Sequence, residues 1–128
     1  MLIEVEELSK DLFDIIEYYL DQPNKSIVIL FHNSQCRNTF SQEYMKVAKI
    51  PDKVCPDYVK RGSSSLYTLL LENPDRIRGM RANPLLIYRR RSFSNQQDLD
   101  IVVQGFRVVT SNPIGRIKEA ALQKRNSQ

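Results

Sequence analysis

Tryptophan is absent from the 128 residues, histidine occurs once, cysteine twice and glycine four times. A single histidine leaves little material for a metal site or for acid–base catalysis, and no Ser-His-Asp set or carboxylate pair assembles around it. The two cysteines stand neither in a CxxC pair nor at zinc-ligand spacing, which excludes a disulfide scaffold and a zinc module. Four glycines provide no loop that cradles phosphate. No apolar run approaches the roughly 20 residues of a membrane span. The opening stretch MLIEVEELSK is acidic where a secretory signal would be basic. The expectation is a chain without metal or cofactor, away from the membrane, in the cytoplasm or another reducing compartment.

What is present fits one ordinary domain. Hydrophobic residues make up 41% and charged residues 27%, and six Tyr with five Phe supply a core. The net charge of +4 is unevenly spread. Glu4, Glu6, Glu7, Asp11, Asp14, Glu17 and Asp21 face only Lys10 within the first 21 residues, and 18 of the 19 basic residues come later. This dipolar layout favours a basic partner for the first helix, or a second copy of the chain bound head to tail.

Leu2, Ile3 and Val5 suggest an edge strand. Ser9 reads as the N-cap of a helix ending near Asp21, with Leu8, Leu12, Ile15, Ile16 and Tyr19 on one face. On that reading Glu7, Asp11, Asp14, Glu17 and Asp21 stay mostly in water. The run Ser26–Phe31 is apolar throughout, as a strand covered on both faces must be. A polar loop from His32 to Asn38 leads to a helix from Thr39 to about Lys49, stopped by Pro51. A short strand fits within Lys53–Val59, interrupted by Pro56. The spacing of Leu66, Leu69 and Leu70 predicts a helix over Ser63–Glu72. Pro84–Tyr88 is a second apolar strand. A polar loop at Ser92–Gln97 then predicts a hairpin returning through Ile101–Phe106. Asn112-Pro113 opens a last helix to about Lys124.

The resulting order, β-α-β-α-β-α-β-β-α, resembles that of the thioredoxin family. Ser26–Phe31, its polar loop, Cys36 and the helix after it resemble the strand leading to that family's active-site cysteine. Ile77-Arg78-Gly79-Met80 before Pro84–Tyr88 resembles the segment around its cis-proline, and Val103-Gln104-Gly105 its glycine-bearing strand. The resemblance implies a single α/β, three-layer sandwich over residues 1–124 with a frayed tail at 125–128. Its central mixed sheet carries a C-terminal antiparallel hairpin and helices on both faces. It also implies a cis Pro84 beside Cys36, and a groove from Gln35, Cys36, Asn83 and Pro84 in which a peptide adds by strand pairing.

The stretch Gln35-Cys36-Arg37-Asn38-Thr39 departs from the family's W-C-G-P-C. Thr39 replaces the resolving cysteine, and Leu30 replaces the buried Asp that helps move its proton. A dithiol cycle is therefore closed to this motif. The leading expectation is a protein-interaction or assembly module with little or no redox turnover. The rival is a monothiol oxidoreductase or redox sensor. In it a helix N-terminus and Arg37 favour the Cys36 thiolate, and the Thr39 hydroxyl donates to the sulfur. Cys55 reads as a plain buried cysteine, and His32 as an incidental loop residue. A third reading is an anion- or nucleic-acid-binding adaptor built on Arg76, Arg78, Arg81, Arg89, Arg90 and Arg91. It is less favoured because no nucleic-acid motif accompanies the arginines and the second trio reads as solvated edge charge. The first trio is placed near the Cys36 end of the sheet, the second at the opposite end.

Overall fold

The computed structural model describes residues 2–49, 51, 53–55, 57–71 and 85–105. Six strands form one mixed sheet: β1 (Leu2–Glu4), β2 (Ser26–Phe31), β3 (Lys53–Cys55), β4 (Tyr58–Arg61), β5 (Ser64–Leu70) and β6 (Leu85–Tyr88). Their order across the sheet is β1-β6-β2-β5-β4-β3. The first four strands in that order run parallel, and β4 and β3 complete the sheet antiparallel. Among the described residues three α-helices pack on it: α1 (Asp11–Leu20), α2 (Ser34–Val47) and α3 (Gln96–Gly105). This is an α/β architecture with helices on both faces.

Strand β2 explains the layering. Ile27 through Phe31 are all buried, because the strand lies between β6 and β5 and is covered above and below. Ile27, Ile29 and Phe31 meet α1 and α2 through Leu12, Ile16, Phe40 and Tyr44. Val28 and Leu30 point the other way, to Leu99 and Val102 of α3. The alternation of a strand thus feeds two separate cores.

Several expectations are corrected. Ser63–Glu72 is not helical: its described part, through Leu71, is strand β5 and a turn. The inward residues of one β5 face are Ser64, Leu66 and Thr68, so two polar residues hide the two-residue period. The serine is needed there. Ser64 Oγ donates to the Gln22 carbonyl and accepts from the Lys25 amide at 3.0 Å, while Ser63 Oγ accepts from the Asn24 amide at 2.9 Å. Together they latch the turn where Asn24 adopts φ +57°.

The expected C-terminal hairpin is also absent. Arg90–Ser92 form a 3₁₀ turn and residues 96–105 form α3. The run Ile101-Val102-Val103 is β-branched, yet only Val102 of it is buried, one helical step from Leu99. Asn95 opens the helix by accepting from the Asp98 amide at 3.1 Å. The antiparallel element lies mid-chain instead, as β3-β4-β5, with Gly62 at φ +58° in the β4–β5 turn. The expected short strand around Pro56 is two strands, with Pro56 itself outside the described residues. Helix α1 starts after Lys10 with no side-chain cap, so Ser9 contributes only its carbonyl, to the Leu12 amide at 3.1 Å. The expected helix at 112–124 and tail at 125–128 lie outside the described residues.

The acidic face of α1 is answered from within. Glu17 receives both terminal nitrogens of Arg61, at 2.6 and 3.0 Å, and the Tyr44 hydroxyl at 2.7 Å. Asp21 takes Lys49 at 2.9 Å and Arg61 at 3.5 Å. Glu17 is half-buried rather than solvated, and neither side chain needs a partner protein to neutralise it.

Removing Arg61 strands a largely desolvated carboxylate, so Arg61→Ala should lower stability in urea by about 3 kcal/mol. Tyr44→Phe should cost about 1 kcal/mol. Burial first, then the hydrogen bond to Glu17, push the Tyr44 phenol far above its usual 10.0. The unfolded chain ionises this group and the folded chain does not. Stability is therefore complete below about pH 10 and is lost as pH rises toward the raised value. Urea midpoints from neutral to alkaline pH should fall above pH 10, and fall less in Tyr44→Phe.

Candidate functional site

Neighbouring parallel strands β2 and β6 send their continuations to opposite faces. After Phe31 the chain turns into α2, on the α1 side; after Tyr88 it turns into the 3₁₀ turn and α3, on the other. Such a fork opens a crevice at the carboxyl ends of the strands, where α/β sheets bind ligands. A cleft of about 620 Å³ occupies this place, within the usual range for a ligand site.

Its floor is aromatic. The Phe13 and Phe40 rings meet edge-on with centroids 5.3 Å apart, and Phe31 lies 5.4 Å from Phe40. Leu8 joins them. The rim carries His32, Gln35, Cys36, Thr39, Glu43, Lys10 and Arg89. Lys10 and Glu43 approach to 3.8 Å. A hydrogen bond from Lys46 at 3.0 Å, aided by its charge and by that of Lys10, holds the Glu43 carboxyl below its ordinary value.

Cys36 stands in the first turn of α2, half-buried. The helix begins five residues before the expected Thr39 because Asn33 caps it, its Oδ1 accepting from the Cys36 amide at 2.8 Å. The sulfur lies 3.6 Å from His32 Nε2. His32, taken from sequence as incidental, is thus the side chain that faces the thiol. It is held edge-on to Phe93 with centroids 6.4 Å apart. The expected helpers are placed differently. Arg37 directs its Nε to Asn38 at 3.3 Å, and Thr39 lines the cleft without a described bond to the sulfur. A capping Asn three residues before Cys36 was the available signal. It fixes the turn that brings residue 32 back over residue 36.

Of the expected groove, Gln35 and Cys36 line the cleft, while Asn83 and Pro84 lie outside the described residues. Leu85 pairs with Ile27 at the start of β2, whereas Cys36 follows its end. At Leu86 and Ile87 strand β6 is paired on both sides, so no peptide adds along it there.

Arg76, Arg78 and Arg81 lie outside the described residues. Because β6 runs parallel to β2, Arg89–Arg91 sit at the Cys36 end of the sheet, not the opposite one. Arg89 donates to the Glu6 carbonyl at 2.6 Å and to Ser92 Oγ at 3.1 Å. Arg90 binds Asp100 at 2.9 Å and covers the Tyr88 ring at 5.7 Å. These contacts of Arg89 and Arg90 brace the 3₁₀ turn and α3, while Arg91 is exposed.

Cys55 ends β3, the edge strand beyond β4 and β5, and is half-buried rather than buried; both thiols are free. Among the described residues no group of three or more His, Cys, Asp or Glu is arranged to hold a metal, and no helix is long and apolar enough to cross a membrane. No protein-family model matches the chain, and neither a curated protein nor a solved structure matches it.

Asn33→Ala removes the cap of α2 and should cost about 1 kcal/mol in urea unfolding. The same variant should weaken protection of the first-turn amides, including that of Cys36, in hydrogen exchange.

Proposed function

We propose that the protein is an interaction module whose cleft receives an apolar side chain of a partner protein. The aromatic floor of Phe13, Phe31 and Phe40 beneath a polar rim is the observation that carries this reading. Such a pocket desolvates one anchor residue while Lys10, Glu43 and Arg89 meet polar groups around it, the arrangement of a binding hot spot. The anchor enters through the fork between β2 and β6. Strand addition beside Pro84 is not invoked, since Asn83 and Pro84 lie outside the described residues. The thioredoxin resemblance supports the module through β1-α1-β2-α2, where strand, loop, Cys36 and helix follow in order. It has no counterpart in β5 or α3, and a thioredoxin-like sandwich is proposed for that first half alone.

A second reading follows from the approach of His32 to Cys36. The thiolate displaces one sulfur of a small disulfide, forming a mixed disulfide on Cys36 and releasing the other half as a thiolate. His32 takes up the thiol proton. With Thr39 in place of a second cysteine the reaction stops there.

Selection of displayed peptides on the folded protein should enrich sequences with one aromatic or large aliphatic anchor. Thr39→Trp, which fills the exposed rim, should weaken those peptides by tenfold or more, while Cys36→Ser leaves them bound. Enrichment of cysteine-containing peptides alone, lost in Cys36→Ser, would replace the module with the redox reading. Insulin reduction should stay at background under either.

A further inference from the structure

Among the described residues, the second face of the sheet is covered unevenly. Helix α3 lies over β6 and β2, against Val28, Leu30, Leu86 and Tyr88. Toward β5, β4 and β3 the same face presents two rows fixed by the strand register. One row pairs Tyr67 with Tyr58 and Tyr58 with Cys55; the next pairs Ser65 with Lys60 and Lys60 with Lys53. The Tyr58 and Tyr67 rings are half-exposed, with centroids 5.8 Å apart and planes tilted by 37°. Lys53 and Lys60 are exposed, and the Lys53 ammonium lies 5.8 Å over the Tyr58 ring.

The Tyr58 side chain holds the Lys53 ammonium and raises its pKa, so this row keeps its positive charge. Like charges placed directly opposite in an antiparallel pair repel, and among the described residues no carboxylate forms an ion pair with Lys53 or Lys60. An anion on the lysine row meets two exposed positive charges at once. The neighbouring row offers flat aromatic faces about 7 Å along the strands, comparable to the reach from a phosphate to its own base. Tyrosine faces beside lysines favour a ligand that is both anionic and flat. An acidic peptide would use the lysines and leave the rings unused.

We propose that this part of the sheet face binds single-stranded nucleic acid, stacking bases on Tyr58 and Tyr67 and placing phosphates on Lys53 and Lys60. The site is distinct from the cleft, which lies at the strand ends beside Cys36, and from Arg89–Arg91, which follow the end of β6. Binding is insensitive to sequence, because every base has a face to stack.

Fluorescence anisotropy of the whole chain with labelled oligo-dT and oligo-U tests it. Both should bind, and affinity should fall with salt with a log–log slope near −1.4, about 0.7 for each of two phosphates. Tyr58→Ala and Tyr67→Ala should each weaken binding about tenfold, with the charge unchanged, and Tyr58→Phe should keep it. Lys53→Gln with Lys60→Gln should flatten the salt dependence. Circular dichroism checks each fold, and if Tyr67→Ala loses its packing against the α3 core, Tyr58→Ala and the lysine pair still decide. Absent binding at low salt would overturn the proposal. So would wild-type affinity in a folded Tyr58→Ala. Polyglutamate that binds as tightly, and depends on the lysines but not on Tyr58, would make the face an acidic-peptide site instead.

Discussion

The Glu17 carboxylate sits where three elements meet. Its own helix α1, Tyr44 of α2 and Arg61 of β4 all converge on it through bonds of 2.6 to 3.0 Å. The arginine and glutamate side chains retain only 13% and 20% of their exposure. A charge this far removed from water is tolerable because Arg61 meets it with two nitrogens and the phenol adds a third bond. The contact also fixes the inclination of α2 on α1, since the Phe13 and Tyr44 rings meet edge-on at 5.4 Å beside it. Apolar packing between two helices tolerates sliding, whereas a shared carboxylate allows one register.

The cleft inherits its shape from that register. Phe13 belongs to α1 and Phe40 to α2, so the aromatic floor exists only while the helices hold their spacing. Tyr44 lies one turn after Phe40 on the same face of α2. The ion pair and the floor are adjacent parts of one interface: the polar end gives geometry and the apolar end gives the space a ligand fills. At the far end of α2, Asn33 sets the approach of His32 to Cys36.

The central strand and the helix pair were legible in the sequence because their signals were local. Ser26–Phe31 is apolar without interruption, and α1 repeats at three and four. The failures share a cause. In β5 the buried face carries Ser64 and Thr68, and the role of Ser64 is set by a turn 39 residues earlier in the chain. In α3 a β-branched run overrode the cap at Asn95. The ion pairs of Glu17 were hidden for the same reason, as Arg61 is 44 residues away and unmarked by any motif. The cysteine was found, and its histidine was passed over because a loop position four residues back becomes a neighbour only once the helix starts at Ser34. The site was thus half visible: Gln35, Cys36 and Thr39 could be named, and the phenylalanine floor beneath them could not.

The position of β6 bears on how the chain assembles. Strands β1 and β2 belong to one β-α-β unit, yet they are not neighbours; β6, more than 50 residues further on, lies between them. Until residues 85–88 are available, β1 has no strand to pair with, and the unit holds a slot one strand wide. On a ribosome β1 is therefore synthesised well before the strand that gives it its place. The nascent chain meanwhile carries an open β2 edge, shielded on one side by whatever α1 and α2 have already buried.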